Sequence, residues 1–261
     1  MKTINLTGDV VLVTGGAGSI GAAIARDLAA SGAEVVVGDL SLEAAEVVAG
    51  DINSTGGRAR AVTLDVRSSA SVDQVVASLV QDGVALSGLV NAAGILRTGD
   101  LSAMTDQAWS EMLDVNVSGT FRTTRAVAAV LRVRGHGSIV NISSVSAFIG
   151  SGDGAAYTST KGAVLSFTYG TAGELAPYGI RVNAVCPGWV DGGFTHQAME
   201  ASDNPEALSD MARRLHPLGR MAAPEDVANA VTWLMSSEAS YITGTPMFVD
   251  GGFMIQRGIR S

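Results

Sequence analysis

The sequence predicts an α/β fold: one doubly wound parallel sheet with helices on both faces, three layers in all. Three observations lead there. Short valine-rich runs lack polar alternation, as in Val10-Val11-Leu12-Val13 and Val35-Val36-Val37, which marks strands buried on both faces. Stretches with apolar residues at helical spacing separate those runs, and strand–helix alternation suits parallel crossovers. The length, 261 residues, fits one domain spanning 1–261.

The elements come in chain order. After the strand at 10–13, Ile20, Ile24 and Leu28 recur every four residues and make a helical stripe. A second strand covers 35–37. A helix is expected over 41–50 with Ala44, Val47 and Val48 on one face. Ala61-Val62-Thr63-Leu64 reads as the third strand, Val72, Val75, Val76 and Leu79 as the next helix, and Leu89-Val90-Asn91 as the fourth strand. A long helix is expected over about 106–133, then a strand at 138–142, a helix at about 155–176 and a strand at 180–185. Residues 187–222 show no strand pattern and are expected to form a mobile substrate loop or lid. Pro224-Glu225-Asp226 opens a helix, with proline in the first turn and acids at its positive end. Met247-Phe248-Val249 is the last strand. No internal repeat, low-complexity tract or linker interrupts the pattern.

Composition narrows the function. Hydrophobic residues make up 47% and charged residues 16%, too apolar and too weakly charged for a disordered chain. The net charge is −8, so a nucleic-acid partner is not expected. A single cysteine, Cys186, rules out an internal disulfide and a cysteine-rich zinc site. His136, His196 and His216 lack metal-ligand spacing, so no metal is expected. There is no signal-peptide core before the first strand and no apolar run of the roughly 18 residues needed to span a bilayer. A soluble, cytoplasmic protein is expected, with no membrane partner.

The first strand runs into Thr14-Gly15-Gly16-Ala17-Gly18-Ser19-Ile20-Gly21. Glycines between a strand and a helix let the backbone approach a pyrophosphate, whose charge the helix N-terminus stabilises. The competing reading is an ordinary tight turn. Asp39 ends the second strand, where an acid accepts hydrogen bonds from the adenosine ribose hydroxyls and repels a 2′-phosphate. No Lys or Arg lies at 14–21 or 38–42, so the pattern favours NAD over NADP. The alternative for Asp39 is a solvated acid at a helix start. Tyr157 and Lys161 stand four apart on a predicted helix, with side chains on one face. An ammonium there would favour phenolate and lower the tyrosine pKa, making Tyr157 a general acid/base. Lys2 and Lys161 are the chain's only lysines, so chance pairing is a weak alternative.

With these residues in order, the chain resembles the short-chain dehydrogenase/reductases over essentially its whole length, the single-domain Rossmann type. The resemblance implies a catalytic serine thirteen residues before the tyrosine, here Ser144, acting with Tyr157 and Lys161. It matches the family's Asn-Ala-Gly segment to Asn91, Ala92 and Gly94, in Asn91-Ala92-Ala93-Gly94, and its helix asparagine to Asn116. The family's adenine contact falls on Asp65 and Val66, its nicotinamide turn on Pro187 and Gly188, and the phosphate turn on Gly15, Gly18, Ser19, Ile20 and Gly21. Two positions depart. Ser19 replaces the middle glycine of the family's turn, and Gly192 replaces a threonine five residues after Pro187 that contacts the nicotinamide amide. Thr195 or the Val190 backbone is expected to substitute.

The implied activity is that of an NAD-dependent oxidoreductase interconverting a secondary alcohol and a ketone. Ser144 would polarise the substrate oxygen and Tyr157 would exchange its proton. Lys161 would stabilise the phenolate and bind the nicotinamide ribose, and Asn116 would hold a water linking Lys161 to solvent. Ser146, Phe148, Trp189, Phe194 and Met199 are expected to line the substrate pocket and favour a small cyclic or apolar alcohol. Asp153 and Asp191 would instead favour a polyol or sugar, and a 3-oxoacyl-type substrate is the other alternative. Ser143 and Cys186 read as structural, Arg213-Arg214 as a solvated pair. A methyltransferase would not need the serine–tyrosine–lysine spacing, a non-catalytic NAD sensor could dispense with it, and a purely structural protein would leave the glycine turn unexplained. Small residues on the helix at 155–176 (Ala155, Ala156, Ser159, Gly162, Ala163, Ser166, Gly170) suggest close helix packing, and the resemblance implies a homotetramer through this helix and the one near 106–133.

Overall fold

Each apolar run between turns forms a strand of one parallel sheet. The strands are β1 (Val10–Thr14), β2 (Glu34–Asp39), β3 (Arg58–Thr63), β4 (Gly88–Asn91), β5 (Gly137–Ile142), β6 (Ile180–Pro187) and β7 (Pro246–Val249). Their order is β3-β2-β1-β4-β5-β6-β7, all pairs parallel. The computed structural model describes residues 4–150 and 154–255; Asp153, a candidate polyol ligand in the sequence, lies outside the described residues.

Successive residues of a strand point to opposite faces, and the core divides accordingly. Val11, Val13, Val35 and Val37 pack with α1 (Ser19–Ala30), α2 (Leu42–Ser54) and α9 (Pro224–Met235). Leu12, Val36, Leu89 and Ile139 pack on the other side with α3 (Ser69–Gln81), α5 (Thr120–Arg134) and α6 (Ala155–Leu175). The chain winds outward from β1 to β3, crosses back to β4 and winds outward the other way. A crevice therefore opens beyond the C-terminal ends of β1 and β4, where a doubly wound sheet binds its ligands.

Several boundaries differ from those expected, each for a local reason. The second helix starts at Leu42, capped by the Ser41 side chain, which accepts from the Ala44 amide at 3.2 Å. It continues to Ser54 and buries Ala45, Val48, Ala49 and Ile52, while Val47 is 59% exposed. The third strand occupies 58–63 rather than 61–64. It lies at the sheet edge, so its polar residues are tolerated, and Arg60 pairs with Glu34 at 2.7 Å. The long helix near 106–133 comprises α4 (Asp106–Met112), a π-helical turn (Leu113–Gly119) and α5. Residues 187–222 carry two helices, α7 (Phe194–Glu200) and α8 (Pro205–Arg214), together with a parallel bridge between Val190 and Ala222.

Candidate active site

Two loops meet at the crevice. Thr14 and Asn91 lie side by side at the ends of β1 and β4, and Thr14 Oγ1 accepts from the Ala93 amide at 3.2 Å. Gly15 is left-handed at φ +62°, and a Cβ there would come within 2.6 Å of Ala93 Cα. At Gly21 a Cβ would overlap the Gly15 carbonyl. The glycines thus bring the turn hard against the β4 loop and start α1 with no acid in its first turn and no side-chain cap at Gly18. The first amides of a helix lack intrahelical partners, so this terminus suits a phosphate.

Asp39 borders the same crevice. Its Oδ2 accepts from the Ala17 amide at 3.1 Å and its Oδ1 from the Ser41 amide at 3.2 Å, tying β2 to the glycine turn. A groove runs from Gly15 and Asp39 past Asp65 and Val66 to Gly94. Two cations that carry no motif signal, Arg67 and Arg97, line it as well. Arg67 grips Asp65 through Nε at 2.9 Å and NH2 at 2.8 Å, and that hydrogen-bonded guanidinium holds the Asp65 carboxyl below its usual range.

The predicted catalytic residues come together at the end of β5 and the start of α6. Ser144 follows β5, and its Oγ accepts from the Ser146 amide at 3.1 Å. The Ser144 hydroxyl faces Tyr157 and favours its ionised form, and Lys161 Nζ lies 5.5 Å from the Tyr157 ring centre. Lys161 is 5% exposed and its Nζ donates to the Ile142 carbonyl at 2.9 Å. Burial lowers its pKa to about 8. The expected lowering of the tyrosine pKa is not what the geometry produces. Desolvation raises it, opposed in part by the Ser144 hydroxyl, while the Lys161 ammonium donates to the Ile142 carbonyl. Ser143 is structural: its hydroxyl donates to the Lys161 carbonyl at 3.0 Å. Cys186 is fully buried, and desolvation raises its pKa to about 11, leaving an inert thiol.

Asn116 reaches the cluster from the π-helical turn. Its Oδ1 accepts from the Ile95 amide at 2.8 Å, and its Nδ2 donates to the Ile95 carbonyl at 2.9 Å and to Thr160 Oγ1 at 3.1 Å. The amide thus fixes the loop after β4 against α6. A Cβ on Gly94 would sit 3.3 Å from Asn116 Oδ1 and 3.8 Å from Lys161 Nζ. Beneath lies a buried polar ladder that has no motif signature. Asn91 Nδ2 donates to Asn141 Oδ1 at 2.8 Å, Asn141 Nδ2 to Thr168 Oγ1 at 2.9 Å, and Thr123 Oγ1 to Asn91 Oδ1 at 2.6 Å.

The segment after β6 closes the far side. Pro187 and Val190 are buried, and the Val190 bridge anchors the loop. Phe194, at the start of α7, meets the Tyr157 ring edge-on with centres 6.3 Å apart. Phe148 instead packs on Phe248 at 4.8 Å, beside β7. Trp189 donates its amide to His216 Nε2 at 3.1 Å, while His216 Nδ1 donates to the Ala212 carbonyl at 2.6 Å. His216 is 2% exposed and fastens this turn to the end of α8, a role not visible in its sequence context. Asp191 and His196 pair at the surface at 2.8 Å, and Arg213 pairs with Asp210 at 2.8 Å. Thr195 is buried and Met199 partly buried in α7. Among the described residues, no three His, Cys, Asp or Glu side chains gather as a metal site, and no helix is long and apolar enough to cross a membrane.

Comparison with known proteins agrees with this geometry. A family model described as enoyl-(acyl carrier protein) reductase matches residues 15–254. The chain is 39% identical to the short-chain reductase protein NovJ of Streptomyces niveus, covering 93% of each. It is 38% identical to the cyclopentanol dehydrogenase of Comamonas testosteroni, covering 94% of this chain and 96% of that one. A gluconate 5-dehydrogenase from Burkholderia cenocepacia J2315, solved in complex with NADP and tartrate, superposes with a TM-score of 0.92 at 32% identity, covering 98% of both chains. With the sheet order, the glycine turn and the serine–tyrosine–lysine cluster in place, the chain belongs to the short-chain dehydrogenase/reductase family of nicotinamide-dependent oxidoreductases.

Proposed function

We propose that the protein is an NAD(H)-dependent enzyme interconverting a secondary alcohol and a ketone, with Ser144, Tyr157 and Lys161 as catalytic residues. The observation that carries this reading is their convergence beside the crevice: Ser144 faces Tyr157, and Lys161 is buried under the tyrosine ring. A non-catalytic NAD sensor would not need that cluster.

In the reductive direction Ser144 Oγ donates to the substrate oxygen and polarises the carbonyl. Tyr157, kept as a phenol by burial, gives its proton to the same oxygen. Lys161, cationic below about pH 8, stabilises the phenolate left behind. In oxidation the proton travels the other way. The nicotinamide, when bound, supplies or accepts the hydride. Gly15, Gly18, Ser19, Ile20 and Gly21 would hold its pyrophosphate. Asp39, Asp65, Val66, Asn91, Ala92 and Gly94 would hold the adenosine side, and Pro187, Gly188 and Val190 the nicotinamide side. The Asp39 carboxylate, braced on two backbone amides, supports NAD over NADP. Arg67 does not offset it, because Asp65 already occupies its guanidinium.

Phe194 against Tyr157, with Trp189 and Ser146 nearby in the chain, supports a compact, mainly apolar alcohol, as does the likeness to a cyclopentanol dehydrogenase. The Asp191–His196 pair and the likeness to a gluconate 5-dehydrogenase support the second reading, a polyol or sugar. The buried free Cys186 suits a cytoplasmic enzyme. Absorbance of reduced nicotinamide, followed with NAD⁺ or NADP⁺ over cyclic alcohols, polyols, hydroxysteroids and 3-hydroxyacyl thioesters, tests all of this. Turnover of cyclic alcohols with NAD⁺ is expected. Preference for polyols would replace the substrate assignment, and preference for NADP⁺ the cofactor assignment.

A further inference from the structure

The turn after β6 is anchored largely by its own backbone. The Gly188 amide donates to the Val249 carbonyl at 3.1 Å, the Ala222 amide to the Trp189 carbonyl at 2.9 Å, and the Asp191 amide to the Ala222 carbonyl at 2.8 Å. The Trp189 amide differs: it donates to a side chain, His216 Nε2, at 3.1 Å. Across the ring, Nδ1 lies 2.6 Å from the Ala212 carbonyl. A continued α8 would satisfy that carbonyl with the His216 amide. Here that amide donates to the Arg213 carbonyl at 3.1 Å, and the imidazole takes its place. A carbonyl only accepts and an amide only donates, so the ring carries its proton on Nδ1 and leaves Nε2 bare. Its surroundings hold it still. The residue is 2% exposed, its ring centre lies 5.3 Å from that of Phe253, and a Cβ on Gly188 would come within 2.6 Å of Nε2.

We propose that His216 is a positioning residue for the nicotinamide end of the cofactor. It acts through Gly188 and Trp189: the neutral ring carries the end of α8 to the turn and fixes how far that turn reaches into the crevice. A rigid ring with a donor on one side and an acceptor on the other spans the two partners, whereas asparagine and glutamine carry both groups at one end. Gly188 is glycine because the ring stands in its side-chain space. This rests on the proposed dinucleotide site and adds to it a residue, remote in sequence, that sets one of its walls.

Calorimetric titration with NADH and with ADP-ribose, which lacks the nicotinamide, tests it without turnover, on the wild type, His216→Asn, His216→Gln and His216→Phe. Glutamine keeps an acceptor near the place of Nε2, asparagine reaches only as far as Nδ1, and phenylalanine keeps the ring with neither group. His216→Asn and His216→Phe are expected to bind NADH about tenfold more weakly and ADP-ribose as the wild type does. His216→Gln is expected to recover most of the NADH affinity. Equal weakening of NADH and ADP-ribose, unchanged NADH affinity in His216→Asn, or a glutamine variant no better than the asparagine one would overturn the proposal. Wild-type protein that bound neither ligand would instead overturn the dinucleotide reading. Should the variants fail to fold, nitrogen-15 NMR of the histidines in the wild type decides. An unprotonated His216 Nε2 whose resonance moves with NADH and not with ADP-ribose is expected; no response, or the same response to both, would overturn the proposal.

Discussion

Tyr157 and Lys161 each bear the cost of the site they build. Burial makes both charged forms less favourable: the tyrosine stays protonated and the lysine pKa falls to about 8. Tyr157→Phe removes the one proton the proposed chemistry needs and little packing. Turnover is expected to fall by roughly 10²–10⁴-fold while NADH binding, followed by fluorescence titration, is kept. Turnover near the wild-type level would sink the tyrosine mechanism. Lys161 adds a stability consequence. Its folded pKa of about 8 lies below the ordinary 10.5, so between those values the unfolded chain binds more protons and stability rises with pH. Below about pH 8 the full cost of the buried ammonium is present. Lys161→Met should therefore abolish turnover yet stabilise the fold at pH 7 by roughly 1–3 kcal/mol, net of the lost bond to Ile142. The gain should shrink by pH 10. Thermal midpoints of the two proteins across pH measure it, and a Lys161→Met midpoint at or below wild type at pH 7 would refute the burial account.

Elements place these residues through polar contacts that the hydrophobic pattern does not encode. Short apolar runs mark β1, β2 and β4 because buried parallel strands leave little else to choose. The edge strand β3 was harder to delimit, since one side of its pairing is solvent and arginines fit there. The π-helical turn left no trace in the periodicity, yet it carries Asn116 to Ile95 and Thr160. Asn204 and Pro205, a cap and a first-turn proline, announce α8 within the stretch expected to form a mobile substrate loop or lid. The ladder from Asn91 through Asn141 to Thr168 locks β4, β5 and α6 in register below the site. Asn141→Ala would take one partner from Asn91 Nδ2, which keeps Thr124 Oγ1, and one from Thr168 Oγ1, which keeps the Val164 carbonyl, all in the buried core. A loss of about 2–3 kcal/mol is expected, read as a fall of roughly 5–10 °C in the thermal midpoint. A fall under about 1–2 °C would mean that water or repacking replaces the ladder.

At the scale of the molecule, the crevice was legible because the order of motifs along the chain follows the sheet: glycine turn after β1, acid at the end of β2, asparagine at the end of β4, serine after β5. The clamp at His216 was not legible, because it joins segments far apart in sequence. Assembly is the remaining property at this scale. α6 turns Tyr157 and Lys161 inward, while Ala155, Ser159, Ser166 and Gly170 form an exposed stripe four to seven residues apart. Phe121 on α5 and Tyr169 on α6 add exposed aromatic surface beside it. Small side chains let a second helix approach closely, and the aromatics give that approach apolar area to bury. Static light scattering at micromolar concentration should therefore report four times the chain mass. Ser166→Arg, which puts a long cation in the middle of the stripe, should lower that mass without altering the circular dichroism of the fold. Because the same helix carries the proposed catalytic pair on its inner face, turnover should fall along with the mass on dilution of the variant. A monomeric wild type, or a Ser166→Arg variant of unchanged mass, would show that the stripe faces solvent in the working enzyme.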